Sequence, residues 1–448
     1  MTRTQAYRPD PRILELGEAF YDPVAPAVFP AAIPRFLNSR AAATVGLEKV
    51  DWEAHFHRFE PLADNLPEPL ALRYHGHQFR SYNPDLGDGR GFLFAQLRDD
   101  RDRLLDLATK GSGQTPYSRT ADGRLTLKGA VREVLATKML AALGVNTSRT
   151  FAVFETGEDL VRGDEPSPTR SAVLTRLSHG HIRIGSFQRL AFFEEVENME
   201  SLVRYCLEHL FGDDPDAGAV QLLERVSQAT AELAASYMAA GFVHGVLNTD
   251  NINVTGESFD YGPWRFAPTW DPQFTAAYFD HSGLYAFGRQ PEAIQWNLAQ
   301  LAGCLALIAD PPALSALLQG WGERFHLALV AALLKRLGVA PGDADEDRAL
   351  ARAIVAELGK QEIGIDRFFF DLRAGRRPAG TSDALIDLLQ PRLTPQTHPY
   401  WQDDAPCSML IDEVEAIWEP IAKADDWSEM NRKVAAIRRM GEAMGSGA

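Results

Sequence analysis

The stretch HGVLNTDNINVTGESFDYGP, residues 244–263, sets Asp250 beside Asn251 and places Asp260 ten positions further on. An amide oxygen and a carboxylate are the hard donors that magnesium prefers. Asn251 and Asp260 are therefore candidate metal ligands, and Asp250 could accept a proton from an attacking hydroxyl. Kinases use these residue types to hold a metal–nucleotide. An Asx-turn or a strand end would use them too, so the rest of a phosphate site has to come from elsewhere in the chain. Gly87, Gly89 and Arg90 lie in LGDGRG, just before the strand-like FLFAQL. Small residues let backbone N–H groups approach phosphate, and Arg90 adds charge, although a hairpin turn uses the same residues. Lys110 ends the alternating LLDLATK, and Glu133 follows on the next helical segment. At ~4 Å near a surface such a pair is worth about 4 kcal/mol before desolvation, enough to hold a flexible lysine. Arg176 and Arg183 frame TRLSHGHIR, and guanidinium forks grip phosphate bidentately. His179 and His181 between them read as structural or substrate-facing. Asp122 and Gly123 of TADGR could form a second turn over a nucleotide, or an ordinary Asp-Gly turn.

The elements that must position these residues follow from the pattern. The Pro-rich first 60 residues predict an extended N-terminal arm. FLFAQL, LLDLATK, NTSRTFAVFE, EDLVRG and SAVLTRL predict strands, and a strand-like stretch separates Asp250 from Asp260. One helix is predicted from Thr126 to Leu143, with Val131, Val134, Leu135 and Met139 on one face and Gly144 as its cap. From about residue 190 the apolar period becomes helical. The expected fold is α+β and two-lobed: an arm over 1–60, a β-rich lobe over 61–185 and a helical lobe over 186–448, with a cleft at the junction.

Composition limits the partners. The 448 residues carry 45 Lys+Arg against 61 Asp+Glu, a net charge of −16. Such a balance argues against nucleic acid. Residues 89–190 nevertheless hold 16 Lys/Arg and 11 Asp/Glu, a basic island better suited to a small polyanion. Three widely spaced cysteines, Cys206, Cys304 and Cys407, follow no metal spacing; Cys206 and Cys304 read as buried thiols in a reducing compartment. LAGCLALIA is too short to span a bilayer, and the start lacks a signal-peptide core. A cytoplasmic protein that binds no membrane is expected.

Taken together, YHGHQF, NPDLGDGRG, KGSGQTPYSRTADGR, REVLATKML, LTRLSHGHIRIGSF, HGVLNTDN, FDYGP and YAFGRQP resemble the selenoprotein O family, from about Phe20 to Trp296. The resemblance implies a protein-kinase-like fold that binds ATP flipped, with the α-phosphate toward the acceptor. It implies AMP transfer to Ser, Thr or Tyr hydroxyls of proteins, release of pyrophosphate, and magnesium or manganese as metal. Motif by motif, Gly87, Gly89 and Arg90 fall in the nucleotide loop, Lys110 would bind phosphate, and Glu133 would be its partner. Asp122 and Gly123 fall in the second nucleotide turn, and Arg176 and Arg183 would clamp phosphates. Asp250 matches the proton acceptor, Asn251 a metal ligand, and Asp260 a ligand that also touches nucleotide. The chain departs from the family in its tail, MGEAMGSGA, which has no cysteine, in the cysteine-free DPQFTAAYFDHSGLYAFG, and in GSF where GHF is usual. A redox lock between tail and loop is not expected. Uridylyl transfer from UTP with manganese, ordinary phosphoryl transfer and a silent ATP-binding scaffold are the alternatives. A monomer is expected.

Overall fold

The structure, a computed structural model, describes residues 6–163, 165–394 and 396–446. Residues 1–5 of the expected arm and the last two of the tail lie outside the described residues. Ten strands precede residue 180: β1 (Tyr21–Pro23), β2 (Ile33–Leu37), β3 (Leu70–Leu72), β4 (Gly76–Gln78), β5 (Ser81–Asn83), β6 (Leu93–Arg98), β7 (Leu104–Lys110), β8 (Leu125–Thr126), β9 (Arg149–Leu160) and β10 (Thr169–Ser178). Eight of them form an antiparallel sheet in the order β1-β3-β6-β7-β10-β9-β2, with β8 paired to β10. β4 and β5 make a separate hairpin.

Both faces of the sheet are covered, so its central strands read as nearly continuous apolar runs. One face carries Leu104, Leu174 and Val153 and packs on α3 (Leu127–Ala142). The other carries Phe94, Leu107 and Phe154 and packs on Phe56 and Phe59 from the N-terminal segment. All seven residues of β7 are buried, Asp106 and Lys110 included. Two ionisable groups in a covered strand require partners. The α3 helix begins where Thr126 accepts a hydrogen bond from the Gly129 N–H at 3.1 Å. It ends before Gly144 at φ +81°, the left-handed position that favours glycine.

The N-terminal segment is more than the extended arm its prolines suggest. β1 and β2 are the two edges of the main sheet, and two short helices, α1 (Ser39–Thr44) and α2 (Trp52–Phe56), follow them. Pro23 and Pro34 sit in those edge strands, where a missing N–H costs no inner ladder bond. Between Asp250 and Asp260 the expected strand is absent; only isolated bridges, Arg183 to Asn253 and Thr147 to Ser258, hold that stretch. EDLVRG is not a separate strand either, because β9 continues through Gly157 to Leu160.

Beyond β10 come α4 (Ile184–Phe192), α5 (Val196–Tyr205), α6 (Gly218–Ala240) and α7 (Gln290–Leu305), and seven further α-helices are described between Pro311 and Met444. One apolar core runs from α3 through α6 and α7 to Ile437 and Met440, so the sheet region and these helices share an interior. A second core lies among the later helices, around Leu334, Ile354 and Phe368. Cys206 and Cys304 are buried free thiols, as expected, and Cys407 is half-buried. No helix among the described residues is long and apolar enough to cross a membrane.

Candidate functional site

The ends of β7 and β10, the turn before β6 and the 246–262 segment converge on one cavity of about 410 Å³. Gly87, Gly89, Arg90, Lys110, Arg176, Arg183, Asp250, Asn251 and Asp260 all line it. Residues from positions 87 to 260 therefore meet at one place, on the scale of a small-molecule pocket. Lys110 donates to Glu133 Oε2 on α3 at 2.6 Å and reaches the Tyr261 carbonyl at 3.4 Å. Glu133 is 1% exposed and lies behind the lysine rather than in the cavity wall. Burial pulls the Lys110 amine down; Glu133 opposes this.

The glycine loop departs from expectation in its reason for being glycine. A Cβ on Gly87 would lie 2.3 Å from the Tyr117 ring, and one on Gly89 3.0 Å from the Tyr117 carbonyl. The 115–118 loop lies across the glycines, with Thr115 donating to the Asp88 carbonyl and Ser118 to that of Gly89. Tyr117 itself donates to Asp22 near β1. The missing side chains make room for this second loop as well as exposing backbone to the cavity.

Asp250 sits in a 3-10 turn, Thr249–Asn251, that many side chains hold in place. Thr249 Oγ1 accepts from the His77 N–H and donates to Gln188 Oε1 on α4, both at 2.6 Å. Asn248 Oδ1 accepts from the Phe79 N–H at 3.1 Å and the Tyr285 hydroxyl at 2.7 Å. Asn251 Nδ2 donates to the Val246 carbonyl at 2.9 Å, which leaves its amide oxygen as the end available to a cation. Asp250 Oδ1 is buried with no hydrogen-bond partner. Burial raises the Asp250 carboxyl to about 6, against the opposing pull of Arg183. An orphaned buried carboxylate oxygen with a raised pKa is placed to take up a proton.

Asp260 behaves oppositely. Burial would raise it, but Arg176, Arg183 and Lys110 hold it well below the usual carboxylate range. Arg176 pairs with Oδ1, and Arg183 donates to Oδ2 at 2.9 Å. Its backbone stands at φ +57°, a conformation that short polar residues tolerate better than most but that still costs energy. Arg183 also donates to the Asp250 carbonyl at 2.9 Å and lies over the Tyr74 ring at 4.3 Å. Arg176 is aimed from behind. Its Nε donates to His181 Nε2 at 2.9 Å, the His181 Nδ1 faces Asp106 Oδ2 at 3.1 Å, and Asp106 Oδ1 accepts from Gln96 at 2.7 Å. An acceptor Nε2 requires the neutral ring with its proton on Nδ1, and burial and then Arg176 depress the His181 pKa accordingly. His181 is thus a structural residue, which supplies Asp106 with its partner.

Asp122 and Gly123 are not brought into the cavity. The turn lies just past Ala121 at the rim; Asp122 is paired with Arg162 and accepts from the Arg124 N–H. Gly123 is glycine because a Cβ there would meet Gly113 at 2.3 Å. The carboxylate Asp88, 3.6 Å from Arg183 and raised by burial, was missed in the sequence, as were Tyr74 and Gln78. The glycine pattern drew attention past Asp88, and Tyr74 and Gln78 belong to no phosphate-binding spacing. Among the described residues no group of three or more His, Cys, Asp or Glu is arranged to hold a metal. Asn251 and Asp260 offer two oxygen donors, so further oxygens, from water or a ligand, would have to complete an octahedral shell.

The family described as protein adenylyltransferase SelO matches residues 4–404. A protein nucleotidyltransferase YdiU of Synechococcus elongatus is 41% identical, the match covering 98% of this chain and 96% of the relative. The YdiU protein of Synechocystis is 39% identical over 96% of this chain and 97% of the relative. That of Vibrio cholerae is 35% identical over 86% and 78% respectively. With a family match across nearly the whole length and relatives this similar over both chains, the protein belongs to the SelO family and is a nucleotidyltransferase.

Proposed function

We propose that the chain is a protein adenylyltransferase with a two-lobed kinase-like fold: an arm over 1–60, an N-lobe over 61–185 and a C-lobe over 186–448. It binds ATP with magnesium or manganese and transfers AMP to Ser, Thr or Tyr hydroxyls of proteins. One observation carries the reading: three cations, Lys110, Arg176 and Arg183, line the same cavity as Asp250, Asn251 and Asp260. The cations bind the triphosphate, and Arg90 with the Gly87 and Gly89 backbone borders it. Asn251 and Asp260 would hold the metal, whose role is to neutralise phosphate charge and align the leaving group. The acceptor oxygen forms a bond to the α-phosphorus while the bond from that phosphorus to the bridging oxygen of the β-phosphate breaks. The hydroxyl proton passes to Asp250 and pyrophosphate leaves. Arginines suit this reaction because the negative charge grows on the departing pyrophosphate. The reading includes a monomer acting in the cytoplasm, without nucleic acid or membrane partners.

ATP labelled separately at the α and γ positions tests it. Label from the α position should appear on protein with pyrophosphate in solution; γ label on protein would mean an ordinary kinase, and neither would mean a scaffold. Competition between ATP and UTP, each with magnesium or manganese, assigns the base, since a phosphate cradle serves both.

A further inference from the structure

Exposed aromatic rings are few in this chain, and they are not scattered. Among the described residues the exposed Phe, Tyr and Trp side chains are Phe79, Phe192, Phe193, Tyr278 and Phe279. All five group around the β4–β5 hairpin. Phe192 and Phe193 pack on His75, just before β4, with ring centroids 5.3 and 5.6 Å from it. The other three gather at the hairpin's tip, where Phe79 lies 5.8 Å from Phe279, and Phe279 lies 5.1 Å from Tyr278. Phe79 is 37% exposed, Phe279 42% and Tyr278 81%. Aromatic surface facing water is unfavourable, and where it is contiguous it marks an interaction site.

Two routes join this tip to the turn that carries Asp250. β4 runs beside Asp250: a Cβ on Gly76 would meet the Asp250 Cβ at 3.1 Å, and Gln78 lines the nucleotide cavity together with Asp250. The Phe79 N–H donates to Asn248 Oδ1 at 3.1 Å, and its ring packs at 5.0 Å on Tyr285, whose hydroxyl donates to the same oxygen. Phe79 holds φ +50°, a left-handed conformation that costs energy for an aromatic residue, so these contacts impose its position. On the other side, Ala276 and Ala277 lead directly to Tyr278. A Cβ on Gly245 would meet the Ala276 Cβ at 3.1 Å, and the next residue, Val246, is in the cavity wall.

The charged groups around the tip are taken up by one another. Arg80 pairs with Glu292 on α7 at 3.1 Å and lies over the Trp296 ring at 5.4 Å. Arg289 reaches the same glutamate at 3.4 Å. Asp280 turns inward and accepts from the Leu284 and Tyr285 N–H groups, both at 2.8 Å. What this surface offers beside the cavity is therefore aromatic rather than ionic, and it suits an apolar side chain better than a charged one.

We infer that Phe79, Tyr278 and Phe279 form the acceptor-binding surface, which takes an aromatic or branched apolar side chain of a protein segment and so brings a neighbouring Ser, Thr or Tyr hydroxyl to Asp250. The inference rests on the proposed transfer to protein hydroxyls. The occupant is an acceptor segment because the patch adjoins, through Gln78 and Gly245, the wall that carries Asp250, to which the hydroxyl must come. Contacts away from the reacting atoms supply binding energy that positions them.

The test incubates the full chain with ATP, magnesium or manganese, and short synthetic peptides that each carry one Ser, Thr or Tyr between randomised flanks. Mass spectrometry should find AMP on peptides enriched in Phe, Tyr, Leu or Ile at a fixed distance from the hydroxyl. Tyr278→Ser/Phe279→Ser, two surface changes that leave Phe79 in place, should abolish that enrichment. For a preferred peptide the double variant should raise KM roughly 10- to 30-fold, with kcat at saturating peptide and the KM for ATP unchanged. Tyr278→Phe/Phe279→Leu, which keeps the surface apolar, should restore the preference. Transfer without an apolar preference, or a preference intact in the serine variant, would overturn the inference and leave AMP transfer standing. So would a dimer that the serine variant converts to monomer with peptide selection unchanged, since the patch would then be a self-association face. No adduct on any peptide also overturns it, and reaches the functional reading only if label from α-labelled ATP is absent from protein as well.

Discussion

At the residue scale, the site separates two carboxylates by environment. Asp260 is ionised among three cations, and Asp250 is raised to about 6 in a buried position with one unpartnered oxygen. In the proposed role of base Asp250 must be ionised, so kcat/KM should rise with pH through about 6 and fall tenfold per unit below it. Asp250→Asn should abolish transfer while ATP binding persists. Stability has the opposite sign. The raised folded pKa means that the ionised carboxylate destabilises the fold above about pH 6, and this penalty is absent below the unfolded value near 3.9. Asp250→Asn should therefore raise the melting temperature at pH 8 and leave it unchanged at pH 4, which melting curves at the two pH values check. His181 makes a different prediction. Losing the acceptor of a charged donor costs about 1.5–3 kcal/mol, so His181→Leu should raise the KM for ATP by roughly 10- to 100-fold. His181→Gln, whose amide can accept from Arg176 and donate to Asp106, should restore most of it. Equal KM values for the two variants would reject the positioning role.

At the scale of elements, the 249–251 turn owes its shape to neighbours rather than to its own hydrogen bonds. Thr249 links the β4–β5 hairpin to α4 through one accepted and one donated bond. The hairpin turns tightly on Phe79 and Arg80, at φ +50° and +63°, where glycine would be easier. Thr249→Val keeps the shape and removes both bonds, leaving the buried Gln188 oxygen unsatisfied at about 1–3 kcal/mol and the part-buried His77 N–H at less. Denaturant midpoints should fall, and kcat should drop more than the KM for ATP changes, because the turn carries Asp250 while Lys110 is held independently by Glu133. Several elements were legible because they obey simple periods. The 3.6-residue pattern placed α3 to within a residue at each end. The two edge strands were hidden because Pro-rich segments carry no alternating pattern, although an edge is where proline is tolerated. The strand expected between Asp250 and Asp260 failed because side chains such as Asn253, which donates to the Gly180 carbonyl at 2.7 Å, replace a ladder there.

At the scale of the whole molecule, β2 near the start and the turn before the last helix are tied through one strand. Glu155 on β9 accepts bonds of 2.6–2.7 Å from Arg170 and Arg35. Both arginines continue to Asp425, between the last two helices, at 2.7 and 3.0 Å. Burial opposes ionisation of Asp425, but hydrogen bonds from Arg170, Trp427 and Arg35 outweigh it and bring the carboxyl to about 2. A depressed folded pKa contributes stability that is present above the unfolded value and lost as pH falls toward 2. Glu155→Ala leaves two guanidinium groups short of a buried partner, a change that typically costs about 3–5 kcal/mol. Chemical denaturation should show that loss, and limited proteolysis should cut first near 425.

By itself the sequence determined which residue types could handle a triphosphate: Lys110, Arg176, Arg183, Asp250, Asn251 and Asp260 are identifiable from charge, spacing and flanking pattern. It also determined the α+β class, since alternating and helical periods occupy different halves of the chain. Only the tertiary structure decided which candidates share a cavity, setting Glu133 behind Lys110 and leaving Asp122 with Arg162 at the rim. It also decided that Gly87 accommodates the Tyr117 ring and that His181 aims Arg176. The reason is physical. A side chain's type is local, whereas its neighbours, its burial and hence its pKa depend on contacts between residues a hundred or more positions apart.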